Sequence, residues 1–130
     1  MHPIDRGVII VSRRDSFLAW VNALPSRQDC PPLDLAALNS EPGVYLIPEC
    51  DASAADGILA RVLPRIWRSE LCEWEQSETL WPKDLSFQRF HQWFQVSRSS
   101  LVMDLVCDSI HKLESPNLSH YRRGVQSQIG

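Results

Sequence analysis

The chain has 130 residues, with 13 Lys and Arg against 16 Asp and Glu and a net charge of −3. That length holds one domain with a core large enough to need no metal or disulfide. An apolar share of 44% and a charged share of 22% exclude a disordered chain, a collagen and a coiled coil.

No apolar run approaches the roughly 18–20 residues of a membrane span. The longest, Val8–Val11 and Leu101–Val106, are bounded or broken by polar residues. No cationic start leads into a long apolar stretch with a cleavage site. The expectation is a cytoplasmic protein with no membrane partner. Cys30, Cys50, Cys72 and Cys107 include no close pair of the kind that zinc sites use, so reduced thiols are expected.

Gly7–Val11 is a β-branched run that reads as a strand interior to a sheet and covered on both faces. Asp15 or Ser16 is placed to cap a following helix whose face is Phe17, Trp20, Val21 and Leu24. Pro25 ends that helix. Leu33–Asn39 predicts a two-turn helix with Leu35 and Leu38 facing inward, and Glu41-Pro42-Gly43 turns the chain out of it. Val44–Ile47 is the second strand, closed by Pro48.

Helical spacing then runs from Ser53 to Trp74, with Pro64 expected to kink or split it. Ser86 caps another short helix, with Leu85 and Phe90 as a staple and Phe87, Phe90, Trp93 and Phe94 as the buried stripe. Val96–Val106 reads as the third strand. The order β-α-α-β-α-α-β predicts an α+β fold: one small domain over 1–114, with a mixed sheet of about three strands, helices packed on it, and a polar tail over 115–130. A strand–helix–strand crossover would make the first two strands parallel neighbours.

Charge is unevenly spread. Residues 29–60 hold six acids and no base, whereas the basic residues are scattered arginines. The clustered basic footprint of a nucleic-acid binder is missing. Phosphate loops and hydrolase or zincin motifs are also missing from the sequence. His91 reads as a surface residue of its short helix, and Cys107 and His111 stand four apart as a weak thiolate–imidazole pair. Asp104, a carboxylate in an apolar strand, either faces water or pairs with Arg13, Arg14 or Arg98.

Glu49 and Asp51, just after the second strand, could join Asp104 in holding a divalent cation through oxygen ligands. Of five tryptophans, Trp20, Trp67 and Trp93 fit core stripes. Trp74 and Trp81 flank a polar turn, where large aromatics mark either a lid over the core or a contact surface.

Arg6-x-Val8, Phe17-x-x-Trp20-Val21-Asn22, Val44–Glu49, Leu80-Trp81-Pro82 and Phe90-x-x-Trp93-Phe94 resemble a small bacterial family of cytosolic proteins with no assigned activity. The resemblance covers residues 6 to about 106, and its aromatic and aliphatic pieces imply a packed scaffold rather than a reaction centre. Together these readings favour a non-enzymatic interaction protein with no cofactor. It would self-associate as a homodimer or dock a protein partner through Trp74 and Trp81. The alternative is a metal-dependent enzyme or small-ligand binder that uses Glu49, Asp51 and Asp104. A basic tail, His120 to Arg123, is a third candidate contact.

Overall fold

A computed structural model describes residues 2–106 and 109–110. The expected Cys107–His111 pair and the 115–130 tail with its basic segment lie outside the described residues. The elements are β1 (His2–Pro3), β2 (Arg6–Arg13), α1 (Asp15–Ala23), α2 (Leu35–Leu38), β3 (Gly43–Pro48), α3 (Ala52–Cys72), α4 (Phe87–Trp93), β4 (Phe94–Ser99) and β5 (Met103–Asp104). The architecture is α+β, built on a three-stranded sheet in the order β3-β2-β4.

Both neighbours of β2 run antiparallel to it, with Val11 opposite Gly43 and Val96, and Val8 opposite Leu46 and Ser99. The expectations of a mixed sheet and of parallel first strands are therefore corrected. Between β2 and β3 the chain makes two helical passes, α1 and α2, rather than one. Out and back, it returns to the end of β2 that it left, so Gly43 starts beside Val11. The segment from α3 to α4 instead crosses the sheet: the chain leaves β3 at Pro48, beside Arg6, and starts β4 at Phe94, beside Arg13, so β3 and β4 run in the same direction on either side of β2.

The third expected strand is also two pieces. β4 ends at Ser99, and β5 pairs with β1 in a separate two-stranded sheet. Four residues, 4–7, lie between the last β1–β5 pair and the Val8–Ser99 pair, against three, 100–102, on the other strand. That unequal count breaks the ladder, as a bulge does.

Strand alternation divides the sheet into two faces. Gly7, Ile9, Val11 and Arg13 of β2 are buried, while Val8, Ile10 and Ser12 are half-buried. Among the described residues only one face is packed by helices, which corrects the expectation that β2 is covered on both. Ile9, Val11, Ile47 and Phe94 on the packed face join Phe17 and Val21 of α1, Leu59, Leu63, Ile66 and Trp67 of α3, and Phe90 and Trp93 of α4 in one core. Trp67 is fully buried, with Phe90, Trp93 and Phe94 edge-on to it at ring-centroid distances of 5.6, 5.9 and 5.3 Å. The core positions expected of Trp67 and Trp93 hold, and Trp20 packs half-buried against the same cluster.

The Ser86 cap is as the sequence predicts, and Asp34 adds a second. Asp34 caps α2 and Ser86 caps α4 by accepting from Ala37 N and Arg89 N. At α1, however, no side chain caps the helix. Arg14 N donates to Trp93 O at 2.9 Å and Arg14 Nε to Phe94 O at 3.0 Å. Arg14 thus stays extended beside the start of β4 and the helix opens directly at Asp15, whose charge favours the helix N-terminus.

α3 is continuous through Pro64 rather than split. Pro64 lies on the exposed side, where water can solvate the carbonyl released from its missing bond.

Candidate interaction surface

β2 ends in Arg13, in phase with Ile9 and Val11, so its side chain enters the core under α3. A buried cation must be paired or neutralised. Its Nε donates to Glu70 Oε1 at 2.7 Å, and both side chains are 1% exposed. Its Nη1 donates to Glu41 O at 2.7 Å, and Glu73 Oε2 stands 3.7 Å from Nη2. The second oxygen of Glu70 accepts from the Tyr45 hydroxyl.

Burial and the Glu70 carboxylate both push the Tyr45 phenol well above its ordinary pKa, so it stays protonated. Asn39 completes the junction, accepting from Arg13 N at 2.8 Å and donating to Arg13 O at 3.0 Å. β2, the α2–β3 turn, β3 and α3 are tied at this one point. The ion pair at its centre is sealed from solvent. The arrangement fixes the packing of α3 on the sheet and offers no exposed reactive group.

The expected carboxylate site does not assemble. Among the described residues no group of three or more His, Cys, Asp or Glu is placed to hold a metal ion. Asp51 caps α3, accepting from Ser53 Oγ at 2.6 Å and Ala54 N at 3.1 Å; these bonds hold its carboxyl below the usual range. Asp104 accepts from Val106 N at 2.8 Å. Two of its three expected partners are committed elsewhere, Arg13 to Glu70 and Arg14 to Phe94 O, and Arg98 is exposed on β4. Glu49 is exposed on the loop between β3 and α3.

Trp74 and Trp81 are both half-buried against the core. Trp81 Nε1 donates to Glu75 O at 2.7 Å, and the Arg68 guanidinium lies over its ring at 5.7 Å. Arg27 lies over Trp74 at 5.8 Å. Trp20 Nε1 donates to Leu80 O at 3.0 Å, anchoring the turn between the two tryptophans. The segment closes over the end of the core as a lid. Leu80, Leu85 and Phe87 are the apolar side chains exposed around it.

The broader apolar surface lies on the sheet itself. Residues opposite each other in an antiparallel pair share a face. The uncovered face therefore carries two cross-strand rows, Leu46–Val8–Ser99 and Val44–Ile10–Ser97. Leu46 is 53% and Val44 59% exposed, and Val8 and Ile10 are half-buried beside them. Gln95 and Ser12 edge one end of the face, and Arg6 and Pro48 the other. Arg6 is the sole charged residue among these ten and pairs with Asp5 at 2.7 Å. Solvated faces of antiparallel sheets are ordinarily polar, so this aliphatic stripe is unusual.

Sequence reasoning missed both features. Arg13 and Glu70 each interrupt a buried stripe in phase: Arg13 after Ile9 and Val11, Glu70 after Leu59, Leu63, Ile66 and Trp67. A charge in each of two buried stripes was the available signal for a pair. Apolar residues at both even and odd positions of β2 predict burial on both faces, whereas Val8 and Ile10 lie on a face that no described helix covers.

No family model matches the chain, and neither a curated protein nor a solved structure is significantly similar to it. Among the described residues no helix is long and apolar enough to cross a membrane.

Proposed function

We propose that this is a non-enzymatic protein that acts by docking another protein surface, and that the uncovered face of the sheet is where it docks. The observation that carries the reading is the pair of rows Leu46–Val8 and Val44–Ile10, aliphatic, uncharged and presented to solvent on a rigid three-stranded platform. Exposed apolar patches on folded domains mark contact sites when they are contiguous.

Trp74 and Trp81 belong to the scaffold in this account. Their half-burial and the hydrogen bond of Trp81 suit a lid better than a contact surface. A cytoplasmic setting is part of the proposal, supported by the free thiols of Cys30, Cys50 and Cys72.

A photo-activatable side chain at position 46, with position 61 on the exposed side of α3 as control, tests the reading in cells that make the protein. Protein adducts formed from position 46 and not from position 61 are expected. Equal yields at both positions, or none at either, contradict it.

A further inference from the structure

The chemistry of the uncovered face narrows the choice of occupant. Contacts between two copies of one chain are more apolar than contacts between different proteins. The two central rows consist of four aliphatic residues, Leu46, Val8, Val44 and Ile10, and two serines, with no charged residue. In a two-fold contact the same patch must complement itself. Aliphatic groups satisfy that condition, and so do hydroxyls, which both donate and accept. A carboxylate or guanidinium in the rows would meet its own charge, and the rows contain neither.

We infer that the uncovered face binds the same face of a second copy of this chain, giving a weak, concentration-dependent dimer whose two sheets stack back to back. This rests on the docking reading above and names its partner. The platform of three strands and six paired positions measures about 14 by 20 Å, or about 300 Å². A standard interface uses about 800 Å² from each partner, so this contact belongs at the weak end. Stacked sheets lie about 10 Å apart with side chains interdigitating, which brings Leu46 within reach of the opposing stripe.

Sedimentation velocity on the full chain over a concentration series tests this, using the native protein, Leu46→Asp, Leu46→Lys and an equal mixture of the two variants. The expected result is native sedimentation that rises with concentration towards a dimer. Each variant alone should associate at least about tenfold more weakly, and the mixture should recover association because opposite charges then face each other.

Dimerisation that survives both variants places the contact elsewhere and overturns the inference, leaving the docking reading to the crosslinking experiment. A native protein that is monomeric throughout also overturns it. In that case the melting temperature of Leu46→Ser identifies the true occupant. A fall of several degrees means that the chain covers its own face, and an unchanged value leaves the face to a different protein.

Discussion

Arg13 Nε and Glu70 Oε1 meet at 2.7 Å with both side chains shut away from water, joining the end of the central strand to the last turns of the long helix. A pair of this kind contributes little relative to apolar residues of the same size, but losing one partner strands a buried charge. Glu70→Gln and Arg13→Met should each cost about 3–5 kcal/mol, a large share of the about 5–15 kcal/mol that stabilises an ordinary domain. Replacing both, as Arg13→Met with Glu70→Leu, should cost clearly less than the sum of the two single changes. Urea denaturation of the four proteins measures the difference.

Gly43 stands where the backbone of β3 runs closest to this junction. A methyl group there would collide with Glu70 Oε2 and crowd the Tyr45 ring. Among the described residues no glycine has a positive φ, so the need at Gly43 is for space rather than conformation. Gly43→Ala should destabilise by about 1–3 kcal/mol, whereas Gly57→Ala, with open space around its Cβ, should stabilise α3 slightly. Thermal melts of the two variants should move in opposite directions.

Tyr45 sets an alkaline limit. Its pKa in the fold lies above the ordinary value of 10.0, so above that pH the unfolded chain ionises while the folded chain holds its proton. The stability is fully present below the unfolded pKa and declines as pH rises beyond it. Tyr45→Phe should remove this part of the alkaline decline, at a neutral-pH cost of about 1 kcal/mol for the lost hydrogen bond. Denaturation at pH 8 and at about pH 10.5 checks both.

Asp51 works in the other direction. Bonds from Ser53 and Ala54 lower its pKa, so its contribution is present above the unfolded carboxylate range and is lost as pH falls through the folded value. Asp51→Asn keeps a capping oxygen without the charge and should flatten the acid limb. An acid titration followed by circular dichroism, native against variant, reads the change.

Trp81→Ala should cost about 2 kcal/mol, less than for a fully buried tryptophan, because the ring is half-buried. It should also leave self-association at matched folded concentration unchanged. A variant of native stability that loses association would move the docking surface to the lid.

Much of the fold was legible because its signals are local. The apolar spacing of Phe17, Trp20 and Val21 marked α1, Leu35 and Leu38 marked α2, and the cap at Ser86 marked α4. Strand direction was not legible, because it depends on how many helical passes return the chain to β2. α1 and α2 bring the chain back to the end of β2 that it left, whereas α3 and α4 carry it from the Arg6 end of the sheet to the Arg13 end, and both routes leave the neighbours of β2 antiparallel to it. The break of the last strand at Ser99 depends on the unequal spacer opposite it, which is a pairing property absent from either segment alone.

The surface was less legible still. Val8, Ile10, Val44 and Leu46 carry the same apolar signal as Ile9, Val11 and Ile47, and only the placement of every helix on one face tells them apart. Glu49, Asp51 and Asp104 shared a chemistry in the sequence. The hydrogen bonds of Asp51 serve a helix cap and that of Asp104 a local turn.

The most direct measurement is a methyl-resolved NMR dilution series from millimolar to micromolar protein. The account predicts that methyl signals of Val8, Ile10, Val44 and Leu46 shift together with concentration, while the buried methyls of Leu63 and Ile66 and the side chains of Trp74 and Trp81 hold still. Shifts centred on Trp74, Trp81 and Leu80 with the sheet methyls unmoved would contradict it.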